Sequence, residues 1–358
     1  MGSVVPQGRP EATSIPEMTP RARFLAAASC QPVDCTPVWF MRQAGRCLPA
    51  YRAMRQQHSF MEMATTPELA AEATLLPVDL LGVDAAVLFA DIMLPLASLG
   101  VPFEIRPGIG PVIPAPIRTR EDIARLELRS AVEGTPYVVQ ALRILRELLG
   151  ERAALLGFAG APFTLACYLI EGKPSREFPR AKAMLYGQPD LWHALMERLT
   201  AVTTDYLLAQ ARAGADAVQL FDSWLGLLDQ ETFRHAVLPY TEQIFSAVSP
   251  QLPAIHFSTG TDTLLHDIGR SGCQAVSIDW RTSLSSARTR LPERVAIQGN
   301  LDPALMLAPW PVIERAVNAI LRQAADRPGH IFNLGHGILP ETDPSLLARV
   351  VKLVHQRP

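Results

Sequence analysis

Eight short apolar runs, each ending in a polar or glycine-rich break, constrain this chain more than any other feature. They are "VWFM" before Arg42, "AAVLFA" before Asp91, "AALLGF" before Ala159-Gly160 and "AVQLF" before Asp222-Ser223. Then come "AIHF" before Ser258, "AVSI" before Asp279, "VAIQ" before Gly299-Asn300 and "HIFNL" before Gly335-His336. Each is four to six residues long and mostly non-alternating. That pattern marks a strand buried on both faces. Segments with helical periodicity lie between the runs, at 137–150, 190–214, 261–272 and 312–326. Several of them end on Gly just before the next run, as in "ARAGADAVQLF" and "GRSGCQAVSI", where glycine supplies a left-handed helix cap. Helix, glycine, buried strand is the grammar of a βα repeat. The competing architecture is an open doubly wound sheet. The count of eight, and the lack of GxGxxG after the first run, favour one α/β domain, a (β/α)8 TIM barrel over residues 21–358.

Two stretches depart from the repeat. Residues 100–117, "GVPFEIRPGIGPVIPAPI", are too Pro-rich for a helix and read as a hairpin or small extended insertion between strands 2 and 3. Residues 171–190 form a long polar excursion after strand 3, where barrels carry lids or interface elements. Residues 1–20 are rich in Pro and small polar residues and read as a disordered tail. They lack the apolar core of a secretory signal and, with two glutamates, the composition of a transit peptide.

Composition narrows the function. Of 358 residues 48% are hydrophobic and the formal net charge is −2, which argues against a general nucleic-acid binder. No apolar run approaches the roughly twenty residues of a membrane span. The five cysteines are odd in number, widely spaced and without a CxxC. They read as reduced thiols of a cytoplasmic protein. No HExxH or Walker loop occurs, so neither a metal nor a cofactor is expected.

In α/β barrels the site lies at the C-terminal strand ends. That rule selects Arg42 and Arg46, Asp91, Gly157 to Pro162 with Tyr168 beyond, Asp222 and Ser223, His256 and Ser258, Asp279, Asn300, and His336. The arginines stand out. Arg42, Arg46, Arg52 and Arg55 fall in a stretch, Cys35 to Met61, without any Asp or Glu. Unpaired guanidinium groups at a strand end fit a carboxylate or phosphate ligand. Arg52 and Arg55, at i and i+3, equally fit a solvent-exposed helix face. Asp91, a lone carboxylate between apolar stretches, is either a helix N-cap or salt-bridge partner, or a catalytic group facing developing positive charge. His336 lies between glycines and fits either acid–base chemistry or a structural hydrogen bond. By its surroundings Tyr168 reads as core.

Several segments resemble the uroporphyrinogen decarboxylase family. "PVWFMRQAGR" (37–46) and "GFAGAPFTLACYLIEG" (157–172) look like its two signatures. "FADIMLP" (89–95), "FDSW" (221–224), "IHFSTG" (255–260), "IQGNLDP" (297–303) and "NLGHGILP" (333–340) are similar to its other strand ends, in order. The resemblance runs from about Arg23 to about Lys352. It implies a TIM barrel that decarboxylates the four acetates of uroporphyrinogen III to give coproporphyrinogen in haem biosynthesis. It further implies no metal or cofactor, and a homodimer. Matched motif by motif, it implies a substrate loop of Arg42, Gln43, Ala44, Gly45 and Arg46, joined by Asp91, Tyr168, Ser223 and His336. Asp91, Arg42 and Tyr168 then form the catalytic set. Cys47 and Ala50 depart from the family pattern, which more often has Tyr and Glu there.

Two other readings compete. Zinc-dependent methyltransferases of the same superfamily use a His-x-Cys at strand 5, where this chain has His256-Phe257-Ser258 and so lacks the thiolate. A non-catalytic tetrapyrrole carrier would keep the cleft and lose turnover.

Overall fold

The computed structural model describes residues 15–106 and 108–356; most of the expected N-terminal tail, residues 1–14, lies outside them. The end of that tail is tied down. The Met18 amide donates to Asp34 Oδ2 (2.9 Å), and the Thr19 hydroxyl caps the helix Pro20–Ala28.

The described strands are β1 (Ala85–Val87), β2 (Glu104–Arg106), β3 (Gly110–Val112), β4 (Ala154–Gly160), β5 (Ala217–Asp222), β6 (Ala254–Ser258), β7 (Ala275–Ser277), β8 (Ala296–Leu301) and β9 (His330–Leu334). Seven of them pair in parallel in the order β1-β4-β5-β6-β7-β8-β9. Strands β4 to β9 are buried throughout, as their non-alternating sequences require. The helices Pro136–Leu149, Pro189–Arg212 and Trp310–Ala324 follow the expected periodic segments. The segment 261–272 is instead only a 3-10 turn (Asp262–Leu264) and a four-residue helix (Leu265–Ile268). Past Ile268 the chain tightens to i→i−3 bonds at Arg270 and Ser271, where glycines at 269 and 272 remove helix propensity. Strands β2 and β3 form a separate antiparallel hairpin, inside the Pro-rich stretch between β1 and β4.

The sheet curls. Trp39 Nε1 donates to Gln298 Oε1 (2.9 Å), and Gln298 Nε2 donates to both Gln219 Oε1 and Ser277 Oγ (2.9 Å each). Side chains from β5, β7, β8 and the first apolar run therefore meet in one interior. Both Gln298 amide atoms are thereby bonded, while Gln219 Nε2 has no partner among the described residues.

The first run departs from expectation. Instead of a strand ladder, "VWFM" makes one parallel bridge, Val38 to Phe332 of β9. Side chains replace the missing partners. Val38 N donates to Asp84 Oδ2 (2.8 Å), Phe40 N to Gln43 Oε1 (3.0 Å) and Met41 N to Asn333 Oδ1 (3.0 Å). Asp84, fully buried, holds this seam. Its backbone links Val38 to Ala154, and its carboxylate also takes Arg23 Nη1 (2.6 Å) and His355 Nε2 (2.7 Å). Asp84→Ala leaves Arg23 its bidentate pair with Asp34 but frees Val38 N, a buried donor. The expected loss in chemical denaturation is about 1–3 kcal/mol, with Asp84→Asn losing less.

Candidate active site

The arginine-rich loop follows the first run directly. Arg42 adopts a left-handed backbone, φ 61°. A non-glycine residue there costs about 1–3 kcal/mol and recurs at functional sites. Gln43 sets the turn from inside. It is fully buried, with Oε1 on Phe40 N and Nε2 on the Ala85 carbonyl (2.9 Å), so both ends of its amide serve the scaffold. Ala44 and Gly45 are half-buried at the bend, and Gly45 turns over the Arg42 carbonyl.

The four arginines divide into two kinds. Arg52 donates to the carbonyls of Arg46 (2.9 Å) and Cys47 (3.1 Å), and Arg55 to that of His58. Those two brace the loop. Arg42 and Arg46 are exposed and, among the described residues, meet no acidic partner. Cys47 is buried beneath them and burial raises its thiol pKa. Its departure from the family pattern therefore sits in packing.

Asp91 lies half-buried just past β1. Its Oδ1 accepts from Met93 N (2.9 Å), and no ion pair reaches it among the described residues. Burial pushes its pKa above the usual carboxylate range, while the Met93 amide and the nearby Arg42 charge pull it back. The Gly160 amide bonds the Ile92 carbonyl (3.1 Å), which fixes the Asp91 loop on the end of β4.

Tyr168 projects from the helix Pro162–Glu171, within the second signature. It packs edge-on to Phe178 (5.7 Å) and Trp224 (6.2 Å). Phe178 arrives from the polar excursion and is wholly buried. Burial pushes the Tyr168 hydroxyl up to about 12, opposed by the adjacent Trp224 indole and assisted by Asp91. Tyr168 thus stays a protonated donor near Asp91. Ser223 is half-buried at the end of β5, and its carbonyl accepts from Thr259 Oγ1 (3.2 Å). His336 packs edge-on to Phe257 at 5.9 Å. Burial first, then the Arg42 charge, bring His336 down to about 4, so it is a neutral imidazole at physiological pH.

Other strand-end residues have different duties. Asp222 and His256 face the helices and not the mouth. Asp222 Oδ1 accepts from Thr164 Oγ1 (2.9 Å), and the His256 ring lies against Phe245. Both are fully buried; burial lifts Asp222 to about 7 and lowers His256 to about 3. Ser258 Oγ shares a hydrogen bond with Thr261 (2.7 Å). Asp279 takes Gly260 N and Arg281, and Asn300 ties the carbonyls of Asp279 and Thr282. These residues hold loops. Arg42, Asp91, Tyr168 and His336 lie near one another, with exposed Arg46 and half-buried Ser223 on adjoining loops, and Phe178, Trp280 and Arg281, which sequence reasoning missed, pack beside them. Trp280 and Arg281 directly follow a flagged strand end, so a wider window at Asp279 finds them.

The family model for uroporphyrinogen decarboxylase matches residues 19–357. The chain belongs to the uroporphyrinogen decarboxylase family. It is 51% identical over 334 residues to the uroporphyrinogen decarboxylase of Salinispora tropica, covering 93% of this chain and 90% of that one. It is 48% identical to that of Streptomyces griseus, covering 98% of each. Among solved structures, a methyltransferase from Methanosarcina mazei superposes with TM-score 0.76 at 21% identity, over 95% of this chain and 99% of that one. A putative vitamin-B12 independent methionine synthase from Listeria monocytogenes gives TM-score 0.53 at 11% identity, over 92% and 97%. At such identities these two speak for the fold alone. No helix among the described residues is long and apolar enough to cross a membrane.

Proposed function

We propose that this chain decarboxylates the four acetate side chains of uroporphyrinogen III to coproporphyrinogen III, without a cofactor. Beyond family membership, one observation carries the reading. Arg42 and Arg46 meet no acidic partner among the described residues, and Arg42 stands near Asp91, a carboxylate that burial disfavours and that no described cation pairs with. An octacarboxylate whose pyrrole N–H groups converge at its centre answers both needs. Its carboxylates meet Arg42 and Arg46. Its N–H groups point at Asp91.

Protonation of a pyrrole α-carbon makes the ring cationic, and the ring then serves as the electron sink a cofactor often provides. The carbon–carbon bond to the acetate carboxylate breaks and carbon dioxide leaves. The electron pair forms an exocyclic methylene and neutralises the ring. A proton adds to the methylene to give methyl, and the α-proton is lost. One proton is consumed per carbon dioxide released. Asp91 stabilises the cation. Arg42 positions the acidic proton at the α-carbon, delivered from its guanidinium or an adjacent donor. Tyr168, Ser223 and neutral His336 orient the ring and its side chains, and the backbone of Ala44 and Gly45 shapes the loop. In this reading residues 37–41 complete a closed (β/α)8 barrel, and the enzyme is a cytoplasmic homodimer.

Anaerobic incubation with chemically reduced uroporphyrinogen III and a chelator tests the assignment. Stepwise seven-, six-, five- and four-carboxylate porphyrins are expected after oxidation and chromatography. Unchanged substrate with folded protein overturns it, and binding without turnover would point to the carrier reading.

A further inference from the structure

We propose that Arg281 is a further substrate-binding residue, a carboxylate receptor at the rim for the side chains that survive the reaction. This rests on the proposed decarboxylase function. Arg281 follows β7 and is held from several sides. Its Nη1 donates to Asp279 Oδ2 (2.6 Å), and its guanidinium lies 4.4 Å from the Trp280 ring centroid. The loop beneath is clamped. Asp279, buried, also accepts from the backbone amides of Arg281 (2.8 Å) and Gly260 (2.7 Å). Asn300 Nδ2 bonds the carbonyls of Asp279 (2.9 Å) and Thr282 (2.5 Å). Trp280 packs against Gly335, so closely that a Cβ there would lie 2.6 Å from the Trp280 amide nitrogen.

A guanidinium carries five N–H donors. Asp279 takes one, and the side chain remains 56% exposed. A salt bridge serving stability alone has no need of this arrangement, since two backbone amides already satisfy Asp279. What the clamp supplies is aim: a long side chain held in one place before the ligand arrives. It lies beside the site, because Trp280 packs on Gly335, the residue next to His336.

Electrostatics decides which carboxylates it takes. A departing carboxylate loses its charge as carbon dioxide forms. A guanidinium on it stabilises the ground state more than the transition state and slows the step. Holding the four carboxylates that stay carries no such penalty. Arg281 therefore contributes uniform binding, visible in KM rather than kcat.

The test is anaerobic steady-state kinetics of the full-length wild type, Arg281→Ala and Arg281→Lys. The substrates are uroporphyrinogen III and the five-carboxylate intermediate, which keeps all four surviving carboxylates. Arg281→Ala is expected to raise KM about 10-fold on both substrates, with kcat changing by less than about twofold. Arg281→Lys recovers part of the loss. The melting temperature stays at the wild-type value, because Asp279 keeps its backbone donors. Unchanged KM overturns the proposal. So does a KM defect on uroporphyrinogen that vanishes on the five-carboxylate intermediate, which would assign Arg281 to the acetates. A kcat defect with unchanged KM overturns it too. An inactive wild type removes the decarboxylase reading and this inference with it, a result distinct from any Arg281 effect.

Discussion

Asp91→Asn is expected to lower kcat by about 10²–10³-fold with the fold intact. The amide is isosteric and its Oδ1 still accepts from the Met93 amide. Only the negative charge is lost. That charge is held in a place the protein makes unfavourable for it, since burial raises the Asp91 pKa and no described cation pairs with it. The sign follows from linkage. A carboxyl whose folded pKa lies above its unfolded value binds more protons when folded, so its ionisation opposes folding as pH rises through that interval. Removing the ionisable group removes the opposition. Asp91→Asn should therefore melt at or slightly above the wild-type temperature at neutral pH. The wild-type acid limb of kcat/KM should lie above the ordinary carboxylate range, and the residual activity of the variant should lack that limb. Thermal melts and anaerobic pH profiles measure both. Near-normal turnover would remove the electrostatic role.

How far the sequence could be read depended on which interaction placed each residue. Strand-end residues were legible because a run buried on both faces must stop where the chain meets solvent. That rule selects Arg42, Asp91, Ser223 and His336, and the structure places each just past a strand or the first run. It could not say which way a strand-end side chain turns, so Asp222 and His256 were flagged although they face the helices. Gln43 resembled part of a ligand loop, yet its amide is consumed by Phe40 and Ala85. The first run looked like a strand because its apolar pattern is one. Its backbone bonds Phe332 and Asp84, but three of its amides are taken by side chains of Asp84, Gln43 and Asn333, which no periodicity records. Phe178 reaches Tyr168 only through the fold of a polar excursion. Local pattern encodes burial; the partner of a given hydrogen bond is a tertiary fact.

Arg42 permits a sharper experiment than its own deletion. Arg42→Ala should lower kcat/KM by about 10²–10³-fold through both KM and kcat, the usual scale for truncating a charge that pairs with a ligand anion. Such a loss does not by itself separate a missing charge from a disordered loop. Gly337 separates them. A Cβ built there lies 2.4 Å from Arg42 Cδ and 2.9 Å from its Cγ, so Gly337→Ala must push the Arg42 side chain aside. The charge remains, and the left-handed Arg42 backbone limits where the side chain can go. Because the displaced atoms belong to an exposed, flexible side chain, the stability cost should be small. The cost in kcat/KM should reach about 10-fold, because misplacing a positioned group weakens catalysis steeply. On the Arg42→Ala background the alanine at 337 should add almost nothing, since its victim is gone. Full additivity in that double-mutant cycle would show that Gly337 acts through another group, such as the neighbouring His336, and that the aim of Arg42 is not what the glycine protects.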